Sequence, residues 1–450
     1  MNPARYREIL LSLFYITLVS IPLSVEWFSP NWHVGLTLVS EPLMVVTAGG
    51  LALGLLVGWL RWPTRYNRLD LLLGMHFAVL LLATLLSDNK LVSTKYYLSL
   101  VLYLLTGYAL PKVLELTGRE WRRAGASLAL GTFLLVGYVV IRHLQTGFSF
   151  SISYSIAQPF SANGHTNLTV QLEPLILALN LLLLGCGWAQ AGLRRLLVAA
   201  GLTVVLLVVA FSFSRASFCS LLLQAGLLLA YTRWAASRRL LLVWASAGLL
   251  IAGVWQIMTH IHDNASLHNT PLLQEMSTVQ DFSPANDSNA ERLNRWKFCL
   301  QLFHETPVLG IGPGTFPDRY LDYVRHTPSH PIYLDTQQRM NAHNLYLDWL
   351  VEAGALGLLS GLLVLGYPLV QLLPHLRRRP MPLLQLGLLA YFAFFLLHSL
   401  AQDFWQEPRV IVLFWLVLSW QRYCARPQPY AAPQPLPAQA LAESSSPLLN

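Results

Sequence analysis

Apolar runs of roughly 17 to 25 residues recur from one end of this chain to the other, the length that crosses a bilayer as an α-helix. Backbone inside lipid must satisfy its own hydrogen bonds, so such runs form helices or a closed barrel, and no ten-residue alternation points to a barrel. The fold class that follows is all-α, a polytopic integral membrane bundle. Spans are read at about 9–27, 34–60, 69–87, 96–111, 125–141, 168–188, 196–213, 216–232, 239–258, 343–373, 382–400 and 409–421. The composition agrees, with 54% apolar and 12% charged residues.

Threading those spans gives the charges a pattern, because Lys and Arg favour the cytoplasmic side of short loops. Arg5/Arg7, Arg61/Arg65/Arg68, Lys112/Arg119/Arg122/Arg123, Arg194/Arg195, Arg233/Arg238/Arg239, Arg377/Arg378/Arg379 and Arg422/Arg426 all fall on one side. Both termini are then expected in the cytoplasm. The net charge of +8 is a topology signal, and no nucleic-acid module accompanies it. The first span lacks a small-residue cleavage site and reads as a retained helix. Cys299 alone lies in the long outer segment, which excludes a disulfide framework or four-cysteine metal site there.

That outer segment, 259–342, is the single long polar stretch. Its first half, 263–288, reads as loose, and 289–303 as a surface-lying amphipathic helix with apolar positions at Leu293, Trp296, Cys299, Leu300 and Phe303. Thr306-Pro307 and the run from Gly310 through Gly312 to Gly314 stop the helix and let backbone approach a ligand or a neighbour. Tyr320, Tyr323 and Tyr333 point to a folded lid near the interface. The tail from about 424 to 450, rich in Pro, Gln, Ala and Ser, is expected to be disordered. No internal repeat is visible.

Several polar residues gather on the outer side. Arg215 follows an apolar run in a setting of serines, either as a snorkelling anchor or as an anion ligand, and the sparsely basic side favours the ligand. Arg292 and Arg295 share a helix with Trp296 and can fork onto phosphate oxygens, although a basic face drawn to lipid headgroups looks the same in sequence. His343 is able to take a proton from a hydroxyl or to hold phosphate as imidazolium; Asn344 beside it also suits a helix cap. Asp403 is placed to orient His343, to pair with an arginine, or simply to sit in a loop. His165 and Asn167 precede the sixth span, where they hydrogen-bond a sugar or cap a helix. A phosphate loop, a His-Glu-x-x-His zinc pair, a nucleophile elbow and an outer Asp-x-Asp pair are all missing from the sequence.

In order and spacing, Ser214-Arg215, the run Arg292 to Trp296, the run Pro307 to Phe316, Ala342 to Leu347, then Glu352-Ala-Gly354 and Gly357 resemble the O-antigen ligase and polymerase superfamily of bacterial envelope enzymes. The motifs cover about 200–365, so the chain divides into N-terminal transmembrane helices (1–195), a ligase/polymerase-like membrane region (196–423) and the tail. The resemblance implies a GT-C-like bundle in the bacterial inner membrane. It implies metal-independent glycan transfer, without a cofactor, from an undecaprenyl-diphosphate-linked donor to lipid A-core on the periplasmic face. Arg215 and Arg292 would hold the diphosphate and His343 would activate the acceptor hydroxyl. Arg295, Trp296, Asn344, Gly312, Gly314, His165, Asn167 and Asp403 would line the substrates. A polymerase or a protein O-oligosaccharyltransferase would use the same donor. A transporter with Arg215 in its pathway is the reading from another class, and a membrane scaffold would leave the clustered residues unexplained. No nucleic acid is expected, and oligomeric state is left open.

Overall fold

The computed structural model describes residues 2–29, 34–63, 67–146, 148, 150–153, 155–160, 164–185, 192–262, 287–326 and 340–425. Residues 263–286 of the expected loose half of the outer segment, Tyr333 and nearly all of the tail lie outside those residues. Helices run in the order α1 (Pro3–Ser20), α2 (Ser40–Leu56), α3 (Arg68–Leu85), α4 (Lys90–Leu104), α5 (Gly118–Thr146), α6 (Gly164–Gly185), α7 (Gly192–Ala210), α8 (Arg215–Tyr231) and α9 (Trp234–His262). Four more build the site: α10 (Asp287–Glu305), α11 (Phe316–His326), α12 (Leu345–Glu352) and α13 (Gly354–Leu372). The described chain closes with α14 (Leu383–Ser399) and α15 (Pro408–Cys424). Seven helices among the described residues are long and apolar enough to cross a membrane, and three shorter apolar ones, α2, α8 and α14, accompany them. The expected span 96–111 falls on α4 and the helical turns that continue it without a break from Leu105 to Val113, and 409–421 falls on α15; α4 and α15 belong to neither group.

Three expectations need correction. Residues 34–38 are not the start of a helix: β1 (Val25–Ser29) and β2 (Val34–Leu38) form an antiparallel hairpin with Val25 opposite Leu38. The helix waits until Ser40 because Glu41 accepts from the Thr37 N–H at 2.8 Å and Ser24 Oγ from the Ser40 N–H at 3.0 Å. The fifth span is a helix of 29 residues that begins at Gly118, well before 125. The run 343–373 is two helices, α12 and α13, which break at Gly354. There φ is +66°, and Pro307 and Val308 carbonyls accept from the Ala355 and Leu356 N–H groups. The chain turns at Gly354 because any Cβ would stand 2.2 Å from the Val308 backbone.

Polar contacts sort the bundle into two ends. At one end Lys112 and Arg422 flank Asp70, and Arg7 pairs with Glu120. At the other, Arg409 is held by Glu26, Glu407 and the Ser24 carbonyl, beside the first turn of α15. The α10–α12 unit carries a small core of its own, Phe298, Cys299, Leu302, Ile311, Phe316 and Tyr320 among them.

Candidate active site

α10 forms over the expected residues, but its buried face is different. Ala290, Arg295, Phe298, Cys299 and Leu302 are buried, whereas Leu293 and Leu300 are exposed. The helix is therefore packed onto α12 instead of lying free on a surface. Sequence spacing missed the register because a buried arginine occupies a core position. Arg295 Nη1 donates to the Asn341 carbonyl at 3.2 Å, with Glu291 Oε2 3.7 Å from its other nitrogen. Trp296 Nε1 donates to the Ala342 carbonyl at 3.0 Å. Both side chains thus grip the segment that leads into His343.

His343 stands in the left-handed region at φ +51°. For a non-glycine residue this conformation costs about 1–3 kcal/mol and persists where neighbours over-determine it. Here they do. The His343 N–H donates to Asn341 Oδ1 at 3.2 Å and the Ala342 N–H to Asp348 Oδ1 at 3.1 Å. Asn344 caps α12 by accepting from the Tyr346 and Leu347 N–H groups, and its amide nitrogen donates to the Leu400 carbonyl at 3.2 Å. Its amide is thereby engaged on both sides.

The cations converge on the same place. Arg215 opens α8 behind the tight turn Phe211–Phe213, with Ser214 at the cap position. Burial and the neighbouring charges of Arg295 and Arg215 lower the Arg292 pKa, partly offset by Glu291. Neither Arg215 nor Arg292 has a hydrogen-bonding or ion-pair partner among the described residues. Burial, with Arg295 and Arg292 beside it, lowers the His343 imidazole to about 3, against a hydrogen bond that the ring donates to Gln402, which raises it. The free site therefore holds a neutral histidine facing fixed positive charge. His343 Nδ1 is buried without a partner among the described residues. Such an arrangement is chemically able to receive an anion with a base beside it.

Glu352 organises the glycine run. Its carboxylate accepts from the Gly314 N–H at 2.7 Å and the Phe316 N–H at 3.1 Å. Gly312 and Gly314 have positive φ and press against Ser87 and Tyr96, where a Cβ would come to 2.0 Å and 2.7 Å. Asp403 accepts from the Trp405 N–H at 2.8 Å and lies near Asp348 and Glu352, while Gln402 next to it reaches the histidine. Among the described residues no group of three or more His, Cys, Asp or Glu is arranged to hold a metal ion. His165 and Asn167 fall in the first turn of α6, and their side chains lie outside the description.

Arg215, Arg292, Arg295 and His343 are thus brought together from α8, α10 and the turn before α12. Sequence reasoning missed Gln402 and Asp348; Asp348 carried a signal, a carboxylate inside an apolar run. A family model described as O-antigen ligase matches residues 199–362, which spans this constellation and bears out the resemblance to that superfamily. None of the curated proteins matches the chain. At the level that this match and the apolar helices support, the chain is a membrane protein whose matched region is of a glycosyl-transfer ligase and polymerase type.

Proposed function

We propose that this protein is an O-antigen ligase that moves a finished polysaccharide from undecaprenyl diphosphate to lipid A-core. Twelve membrane crossings would place its site on the periplasmic face of the bacterial inner membrane. The observation that carries this reading is the cluster of Arg215 and Arg292, neither with an ion-pair partner among the described residues, with Arg292 beside a neutral His343. A diphosphate bridging the two guanidiniums supplies the missing anion, and forked N–H groups fit its oxygens.

In the reaction, the acceptor hydroxyl oxygen attacks the anomeric carbon as the bond to the diphosphate oxygen breaks, with inversion. The hydroxyl proton passes to His343, and the two arginines neutralise charge that grows on the departing diphosphate. An apolar cavity of about 710 Å³ between α5, α6, α14 and α15 supports a polyprenyl donor, since it runs from Pro22 and Arg409 to Trp121 and Tyr423.

The test is reconstitution of the purified full chain with undecaprenyl-diphosphate glycan and lipid A-core in EDTA, followed by gel shift. Wild type should give a slower-migrating lipopolysaccharide, and His343→Ala or Arg215→Ala should lose it by 10²-fold or more, roughly the scale of one general base or oxyanion donor. Growth of the donor without acceptor modification would assign a polymerase instead. No transfer with several donors would sink the glycosyltransferase reading.

A further inference from the structure

Two helices that bear on the site meet at one buried carboxylate that the reaction does not use. Glu173, on α6, is fully buried. Its Oε2 accepts from Ser220 Oγ, and its Oε1 lies 2.8 Å from His398 Nε2. Ser220 belongs to α8, whose first residue is Arg215; it lies five positions further along the helix, a rise of about 7.5 Å. His398 belongs to the last turn of α14, and its carbonyl accepts from the Gln402 N–H at 2.9 Å. The Gln402 side chain in turn reaches His343 and favours its protonated form. The same end of α14 supplies the Leu400 carbonyl to Asn344 and the Leu396 carbonyl to the Tyr346 hydroxyl at 3.2 Å. One carboxylate therefore grips the helix that carries the arginine with one oxygen, and the helix that braces the histidine with the other. A second contact, Ser217 Oγ to Thr169 Oγ1, ties α8 to α6 one turn nearer Arg215.

We infer that Glu173, with Ser220 and His398, is a positioning group that sets the register between Arg215 and His343. This rests on the ligase reading above. Packing alone does not call for a carboxylate here: α8 and α14 already lie along one another over their length, and an apolar residue of similar volume often fills such a place at no cost in stability. A hydrogen-bonded acid instead fixes direction and distance, and a reacting geometry that slips by about 1 Å loses up to about 10²-fold in rate.

The deciding variant removes the whole polar group at once: Glu173→Leu with Ser220→Ala and His398→Leu, so that no buried partner is orphaned. We expect this full-length protein to unfold at or above the wild-type temperature, while kcat falls by about tenfold or more and donor KM stays within about threefold. Glu173→Gln, which can accept from His398 and donate to Ser220, should restore most of kcat. An activity-free readout runs in parallel: carbethoxylation of His343 by diethyl pyrocarbonate, followed by mass spectrometry, should be faster in the triple variant than in wild type. A stable triple variant with wild-type kcat and wild-type His343 reactivity overturns the inference, as does a raised KM with kcat intact. If wild type transfers no glycan, the ligase reading fails by itself, and His343 reactivity alone decides the positioning role. If the triple variant does not fold, Glu173→Gln decides through the same two readouts against Ser220→Ala, which should loosen α8 and lower kcat.

Discussion

His343 is neutral in the free site because it is buried between arginines, and the ligand proposed to bind there would reverse that field. A diphosphate placed against Arg215 and Arg292 screens the Arg292 charge from the imidazole and adds negative charge of its own, which favours protonation. The acid limb of kcat/KM, set by the free enzyme near pH 3, should therefore lie below the usable range, whereas the acid limb of kcat should move up toward neutrality. Coincident limbs in the two profiles would exclude His343 as the titrating base. Arg292 and Arg295 should also part company. Arg292→Lys keeps a charge but loses the fork, so donor KM should rise about tenfold with the fold intact. Arg295→Lys cannot span both Glu291 and the Asn341 carbonyl from its core position, so it should lower the unfolding temperature first. Helix spacing offered both arginines to phosphate, and only the family resemblance gave the diphosphate to Arg292; their structural difference lies in which face packs on α12, which Leu293 and Leu300 obscured by being apolar yet exposed.

At the scale of elements, the glycine run and α12 are one device, in which the backbone of 307–316 wraps the end of the short helix. Ile311 and Gly312 N–H groups donate to the Val351 and Glu352 carbonyls, and the Glu352 side chain returns to Gly314 and Phe316. Gly354→Ala should cost several kcal/mol, more than the roughly 1–2 kcal/mol that a left-handed conformation alone costs a residue with a Cβ, because here the Cβ also meets the Val308 backbone. Chemical denaturation of the detergent-solubilised protein measures it. Burial, with Asp403 nearby, pushes Glu352 up to about 8, and burial pushes Asp403 up to about 6. Both folded values stand above the ordinary carboxylate range of the unfolded chain, so the folded state binds more protons between about pH 4 and 8. Stability should therefore fall as pH rises through that window, and Glu352→Gln should flatten the dependence. A stability that climbs from pH 5 to 8 in wild type would contradict the carboxylate cluster. The apolar runs made most helices legible in sequence. The hairpin β1–β2 and the break at Gly354 were not, because each is imposed by partners distant in the chain: Arg409 on Ser24 and Glu26, and the 307–309 backbone on α13.

Across the whole molecule, the polar group at Glu173 and the apolar cavity proposed for the donor lipid fall on different faces of α6. Glu173 points between α8 and α14, while Gln171 and Pro174 beside it, and Ala178 one turn on, line the cavity of about 710 Å³. Glu173 lies inside the run 168–188 and His398 inside 382–400, where polar groups are costly, yet the sequence reading passed over both and only the fold pairs them. The cavity had no sequence signature, since its lining is as apolar as any lipid-facing surface. If it holds the polyprenyl chain, its length matters to donor affinity and not to the chemistry at His343. Ala178→Trp, which fills part of the cavity, should then raise KM for an undecaprenyl-diphosphate donor about tenfold, since roughly 1.4 kcal/mol of lost apolar burial corresponds to two buried methylenes. A donor on a short ten- or fifteen-carbon prenyl diphosphate, too short to reach that level, should be unaffected, and kcat should hold for both. Equal KM changes for long and short donors would place the lipid tail elsewhere, against the outer surface of the bundle.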